Sequence, residues 1–127
     1  MKVQSSTIQN KYLRIKSINI GACLYEVYDK QKKINLILNL GSKKNYDSKN
    51  FYVGATCGRY AGRISNSKFN IKNKIYKLNG NEGKNTLHGG KIGFDRLEWK
   101  IQNHSKTKIT YQLLSRDLDQ GFPGDLN

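Results

Sequence analysis

Apolar and polar residues alternate in short runs along this chain, and period two dominates over the 3.6-residue repeat of a helix. In INLILNL, Ile34, Leu36, Leu38 and Leu40 share one face while Asn35 and Asn39 take the other, which predicts a half-buried strand. KFNIKNKIYKL holds two β-prone pieces, Phe69–Ile71 and Ile75–Leu78, around a turn at Lys72–Lys74, and reads as a hairpin. LEWKI and KITYQLL form a second pair, with Leu97, Trp99 and Ile101 alternating in one and Ile109, Tyr111 and Leu113 in the other. The polar QNHSKT between them predicts a loop that holds His104. CLYEVYD, from Cys23, is a further strand candidate. No apolar repeat of helical period extends over three turns. The expected fold is therefore all-β, an antiparallel β-sandwich with glycine-rich loops.

The length of 127 residues suits a single small domain, or part of one, over 1–127. A hydrophobic fraction of 36% and a mean hydropathy of −0.73 are low, yet eight tyrosines, four phenylalanines and a tryptophan argue for a packed core. The formal net charge of +14 raises the question of nucleic acid. The lysines are scattered, however, and no aromatic RNA-binding motif or zinc-knuckle spacing accompanies them. Lys outnumbers Arg and Asn and Ile are abundant, so the charge reads mainly as a bias of residue usage. Cys23 and Cys57 lack the CxxC spacing of a metal or redox site and are expected as two buried, reduced thiols. The opening MKVQSSTIQNKYL has no apolar signal-peptide core, and no run reaches the ~20 apolar residues of a membrane span. A soluble, cytoplasmic protein is the expectation.

Two loops concentrate the candidate chemistry. GATCGRYAGRISNSKF sets Gly54, Gly58 and Gly62 around Arg59 and Arg63, and NGNEGKNTLHGGKIGFD sets five glycines around His88. Loops this rich in glycine are costly to order, so their presence suggests a binding surface on a rigid scaffold. Arg63 and His88 could converge on a polyol or an anion: arginine offers a fixed fork of donors, and histidine both donates and accepts. Taken singly, arginines in such a loop are more often structural than ligand-binding, and a histidine beside a turn is more often a satisfied loop residue. His104 reads as a loop histidine, and Asp117 and Asp119 as part of a turn before Gly121.

Four elements in register give a specific resemblance. Gly58 to Ile64 (GRYAGRI), Asn81 to Gly90 (NEGKNTLHGG), Gly93 to Asp95 with Trp99, and Gly121 to Gly124 (GFPG) resemble, in order and spacing, the aldose 1-epimerase (galactose mutarotase) family. The likeness is weakest over the first forty residues. It implies a galactose mutarotase-like β-sandwich and a cofactor-free enzyme that interconverts the α and β anomers of aldohexoses such as galactose or glucose. A carboxylate takes the proton of the anomeric hydroxyl, a histidine acid protonates the ring oxygen, and the opened sugar recloses on its other face. By position, Arg63 matches the family's sugar-binding arginine and His88 a histidine near the reacting centre, a possible auxiliary to catalysis. Gly62 stands where many members have Asn. Asp95 and Trp99 match positions assigned to structure.

The same resemblance implies that the family's general-acid histidine, a sugar-binding aspartate and the general-base glutamate lie in a portion that would follow this chain. The expectation is thus an N-terminal portion with no catalytic residue of its own, inactive alone. A sandwich cut halfway leaves strand edges uncovered. The implied partners are a small-molecule sugar and a complementary C-terminal half or a second copy, with no nucleic acid, membrane, metal or cofactor. The alternative is a non-catalytic carbohydrate-binding module.

Overall fold

A computed structural model describes residues 2–46 and 52–127; Phe51, the residue before Tyr52 in the arginine loop's approach, lies outside them. Ten strands are present among the described residues: β1 (Ser5–Gln9), β2 (Leu13–Ile18), β3 (Cys23–Asp29), β4 (Ile34–Asn35), β5 (Arg63–Ile64), β6 (Lys68–Ile71), β7 (Lys74–Lys77), β8 (Thr86–Leu87), β9 (Lys100–His104) and β10 (Ile109–Gln112). The only helical turns there are short 3-10 turns, so the chain is all-β with every strand pair antiparallel. None of its described helices is long and apolar enough to cross a membrane. The chain forms two compact units, Met1–Thr56 with Asp95–Leu113, and Cys57–Phe94 with Leu114–Asn127.

In the first unit β1, β2, β3 and β4 form a meander in that order, and β9 and β10 form a hairpin. The β1–β2 turn is set by Asn10, whose side-chain oxygen accepts the Tyr12 and Leu13 N–H groups at 2.8 Å each. Ile18, Ile20 and Cys23 are fully or almost fully buried, and burying one isoleucine is worth about 1.5–3 kcal/mol. Polar residues share this core: Ser6 faces Ser17 across β1–β2, and Ser17 Oγ lies 2.8 Å from Tyr111 Oη. Asn19 accepts from the Gln4 N–H and donates to the Lys2 carbonyl and the Glu98 carboxylate. Ser17 and Asn19 thus keep partners for their buried polar atoms, as burial requires.

CLYEVYD is a strand from end to end. INLILNL is not: the strand ends at Asn35, with one further backbone bond from the Leu36 N–H to the Val27 carbonyl, and Leu36 and Leu38 are exposed, Leu38 by 84%. Asparagine side chains take over the backbone's partners there. Asn35 accepts the Val27 N–H and donates to the Ile37 carbonyl, and Asn39 accepts the Gly41 N–H. The loop expected over QNHSKT is shorter than its sequence suggests. Gln102, Asn103 and His104 continue β9, and His104 Nε2 donates to the Thr7 carbonyl at 3.0 Å. Cys23 is buried, with its thiol pushed up to about 12 by burial, but Cys57 is only half-buried because it belongs to the glycine-rich loop.

In the second unit β6 and β7 form the expected hairpin. Lys72 and Asn73 both have positive φ (45° and 64°), the signature of the tight turn whose twist matches paired strands. Phe69 stacks 5.6 Å from Tyr76 and lies 5.9 Å from Phe122, which with Leu78 supplies the apolar core. The other pair, β5 with β8, brackets that hairpin in sequence and is only two residues long on each side.

Glu26 on β3 bridges two cations of β2, with its carboxylate 2.7 Å from Arg14 Nε and 3.2 Å from Lys16 Nζ. The Arg14 hydrogen bond, with Lys16, holds the Glu26 carboxyl below the ordinary glutamate range against the opposing effect of burial. A carboxyl lowered on folding stabilises above its unfolded pKa of roughly 4.3, and that contribution disappears as the pH falls through the folded value. Glu26→Gln should therefore melt below the parent at pH 7, with the gap closing towards pH 3. Thermal melts across that range check it, and a gap independent of pH contradicts it.

Candidate functional site

The site grows from the β5–β8 ladder, where Arg63 pairs with Leu87 and Ile64 with Thr86. One step beyond, the His88 N–H donates to the Gly62 carbonyl at 3.0 Å, and the Gly62 N–H donates to His88 Nδ1 at 3.1 Å. That second bond fixes the tautomer: a neutral His88 that accepts at Nδ1 carries its proton on Nε2 and presents a donor there. His88 has φ +50°, a left-handed conformation that histidine tolerates better than most residues. The next residue must be glycine. Gly89 has φ +95°, and a Cβ on it would lie 1.7 Å from the Gly58 carbonyl oxygen. The glycine pair therefore lets the histidine loop press directly on the arginine loop.

Asn81 locks the same loop. Its side-chain oxygen accepts the Leu87 N–H at 2.7 Å, and its NH2 donates to the carbonyls of Leu87 and Gly90 at 3.0 Å. A tight turn over residues 82–85 closes with reciprocal backbone bonds between Glu82 and Asn85.

The two arginines of GRYAGRI separate cleanly. Arg59 spends all five guanidinium donors inside the unit: Nε on Ser115 Oγ, Nη1 on the carbonyls of Pro123 and Gly124, and Nη2 on the carbonyls of Ser115 and Arg116. No donor remains for a ligand. Arg63 gives only Nε and Nη2, both to the Glu82 carboxylate at 2.5 and 2.7 Å, and its side chain is 63% exposed. Its remaining three N–H groups point away from that pair. Donation from Arg63 is the main cause that lowers the Glu82 carboxyl below its usual range. Arg63 directly follows Gly62, whose N–H and carbonyl both bond His88, and this brings the two residues together.

Glu82 is the residue that sequence reasoning missed, although it is the only acid between Gly80 and Gly93. Asp117 and Asp119 serve turns: Asp119 accepts from Ser115 Oγ at 2.5 Å, and Asp117 accepts the Gly124 N–H. His104 belongs to β9 in the first unit. Among the described residues no group of His, Cys, Asp and Glu could hold a metal ion.

The fold and these loops place the chain with the galactose mutarotase architecture. A GalM/aldose epimerase homologue from C. elegans superposes with a TM-score of 0.89 at 29% identity, over 98% of this chain and 39% of that one. A galactose 1-epimerase from Lactobacillus acidophilus superposes at 0.84 with 27% identity, over 98% and 42%. The aldose 1-epimerase family model matches residues 4–127. An aldose 1-epimerase of Haemophilus influenzae is 38% identical over 98% of this chain, and a galactose mutarotase of Sus scrofa is 36% identical over 98%. The chain belongs to the aldose 1-epimerase family. It spans 37% of the length of each of those two relatives.

Two substitutions test the site's packing. Gly89→Ala should cost ~3 kcal/mol or more, because strain at φ +95° adds to a backbone clash. Thr86 is 1% exposed and its hydroxyl has no partner among the described residues, so Thr86→Val should raise stability by ~1 kcal/mol. Chemical denaturation of the parent and both variants reads the two signs. A destabilised Thr86→Val would mean that the hydroxyl is satisfied in solution.

Proposed function

We propose that this chain supplies the sugar-binding surface of an aldose 1-epimerase acting on aldohexoses such as galactose or glucose, with Arg63 and His88 as the residues that hold the sugar. The observation that carries this reading is the contrast in donors between the two arginines. Arg59 is saturated by four backbone carbonyls and the Ser115 hydroxyl, whereas Arg63 keeps three N–H groups outside its pair with Glu82, beside a histidine whose Nε2 is a donor. A neutral sugar is a cluster of hydroxyl oxygens, each able to accept from such groups. A charge-assisted hydrogen bond from a guanidinium is the stronger kind.

Mutarotation needs a base at the anomeric hydroxyl and an acid at the ring oxygen, on opposite sides of the sugar and each within hydrogen-bond reach. In this reading His88 donates to a sugar oxygen and holds the ring. The acid and base come from residues other than those this chain contributes, a complementary portion of the enzyme being the partner. No cofactor is required by that chemistry. The match of the family model across residues 4–127 favours this over a carbohydrate-binding module without catalysis.

Titration of the chain with D-galactose, followed by amide NMR shifts, should move the signals of Gly62, Arg63 and His88. Arg63→Ala should weaken binding roughly tenfold or more, the worth of one charged hydrogen bond. His88→Asn should do the same, since Asn tolerates the left-handed backbone and can keep the Gly62 bond but lacks Nε2. Cys57→Ser should change little. Parent-like affinity in both site variants would overturn the assignment.

A further inference from the structure

We propose that Glu82 is a positioning residue for sugar binding, which presets the Arg63 guanidinium so that its unused edge faces the ligand. The inference rests on the sugar-binding reading of this site. Its geometric basis is the way the fork is shared. Glu82 takes the Nε–H and one Nη2–H of Arg63, a side-on bidentate pair at 2.5 and 2.7 Å. That arrangement fixes the plane and direction of the guanidinium. It leaves the end edge, with one N–H each from Nη1 and Nη2 running side by side, and the other Nη1–H, in a side chain 63% exposed. Two roughly parallel N–H groups on one edge match two oxygens a few ångströms apart, the spacing of adjacent hydroxyls on a sugar ring.

Glu82 is itself well placed to hold a direction. It belongs to the turn over residues 82–85, closed by its own N–H and carbonyl on Asn85 at 3.1 and 2.9 Å. The preceding Asn81 is tied to the backbone on both sides of His88. The carboxylate therefore projects from the same rigid loop that carries His88. Arg63 loses its freedom before the sugar arrives, which lowers the entropy cost of binding.

The pair is also exposed, and exposed ion pairs contribute little to folding. A merely structural role for Glu82 would thus show as a small change in stability with sugar binding untouched. An inhibitory role, in which Glu82 blocks Arg63, would show as tighter binding once the carboxylate is removed. The preset fork has a different signature.

The test is a double-mutant cycle on the 127-residue chain, with Kd for D-galactose read by NMR titration and folding checked by thermal melts. Glu82→Gln should weaken binding about fivefold in the parent background, because an amide cannot accept from both Nε and Nη2. In the Arg63→Ala background the same substitution should have no further effect, since Glu82 acts only through Arg63. The Arg63 Nε–H signal, slow to exchange in the parent, should broaden or vanish in Glu82→Gln, and Glu82→Asp should recover part of the affinity. Parent-like or tighter binding by Glu82→Gln overturns the positioning role and leaves the sugar-binding reading standing. An equal loss in both backgrounds also overturns it. No response of the unsubstituted chain to the sugar overturns the reading beneath both.

Discussion

The guanidinium of Arg59 is the interaction on which the second unit's loops depend. Its five donors fasten the arginine loop to four carbonyls and one hydroxyl of the 115–124 segment. That segment has little regular structure to hold it otherwise, only one 3-10 turn at Asp119–Gly121 and an isolated bridge from Ser115 to Leu126. Once fixed, it passes the order on. The Gln120 carbonyl accepts the Asn79 N–H, and its side chain accepts the Ile92 N–H. Ser115 Oγ, which accepts from Arg59, donates in turn to Asp119. On the other side of Arg59, Gly58 offers its carbonyl to Phe94 and its surface to Gly89. A cationic side chain so becomes the centre of a polar scaffold in a unit whose apolar core is small.

This explains why two arginines four residues apart have unlike fates. Four carbonyl oxygens and one hydroxyl around Arg59 satisfy every donor without cancelling its charge, and a lysine has neither the number nor the geometry of donors to do the same. Arg63 lies on the short β5 strand, reaches outward and meets a single carboxylate. The first arginine builds the loop, and the second keeps donors to spare. Where the chain must order glycine-rich backbone around a small apolar core, it does so with fully used hydrogen-bond donors.

Much of the fold was legible where apolar residues mark one face. Cys23–Asp29 and the Lys68–Lys77 hairpin follow from alternation and a turn. β1 and β2 were missed because their buried facing pair is Ser6 and Ser17, hydroxyls at positions where a pattern reader looks for apolar residues. INLILNL failed the opposite way: its alternation is strong, but nothing among the described residues covers Leu38, and its asparagines bond their own backbone. The site was visible as a family pattern in GRYAGRI and NTLHGG. The two arginines could not be told apart by spacing, since what separates them is the 115–124 segment some sixty residues away in sequence.

The charge of the chain, set against that contrast, is most informative in its minority. With 23 Lys and Arg against nine Asp and Glu, most cations have no acid to meet, and a cation's presence alone says little. Where an acid stands is the more specific fact. Glu26 joins two strands through Arg14 and Lys16, Asp125 caps the Asp117 N–H and meets Arg116, and Asp119 receives Ser115. Each of these ties backbone or neighbouring strands together. Glu82 instead meets a largely exposed arginine side chain, in the loop that carries His88, where the gain in folding is slight. An acid placed where it stabilises little but fixes the direction of a donor fork is the placement on which the proposed positioning role rests.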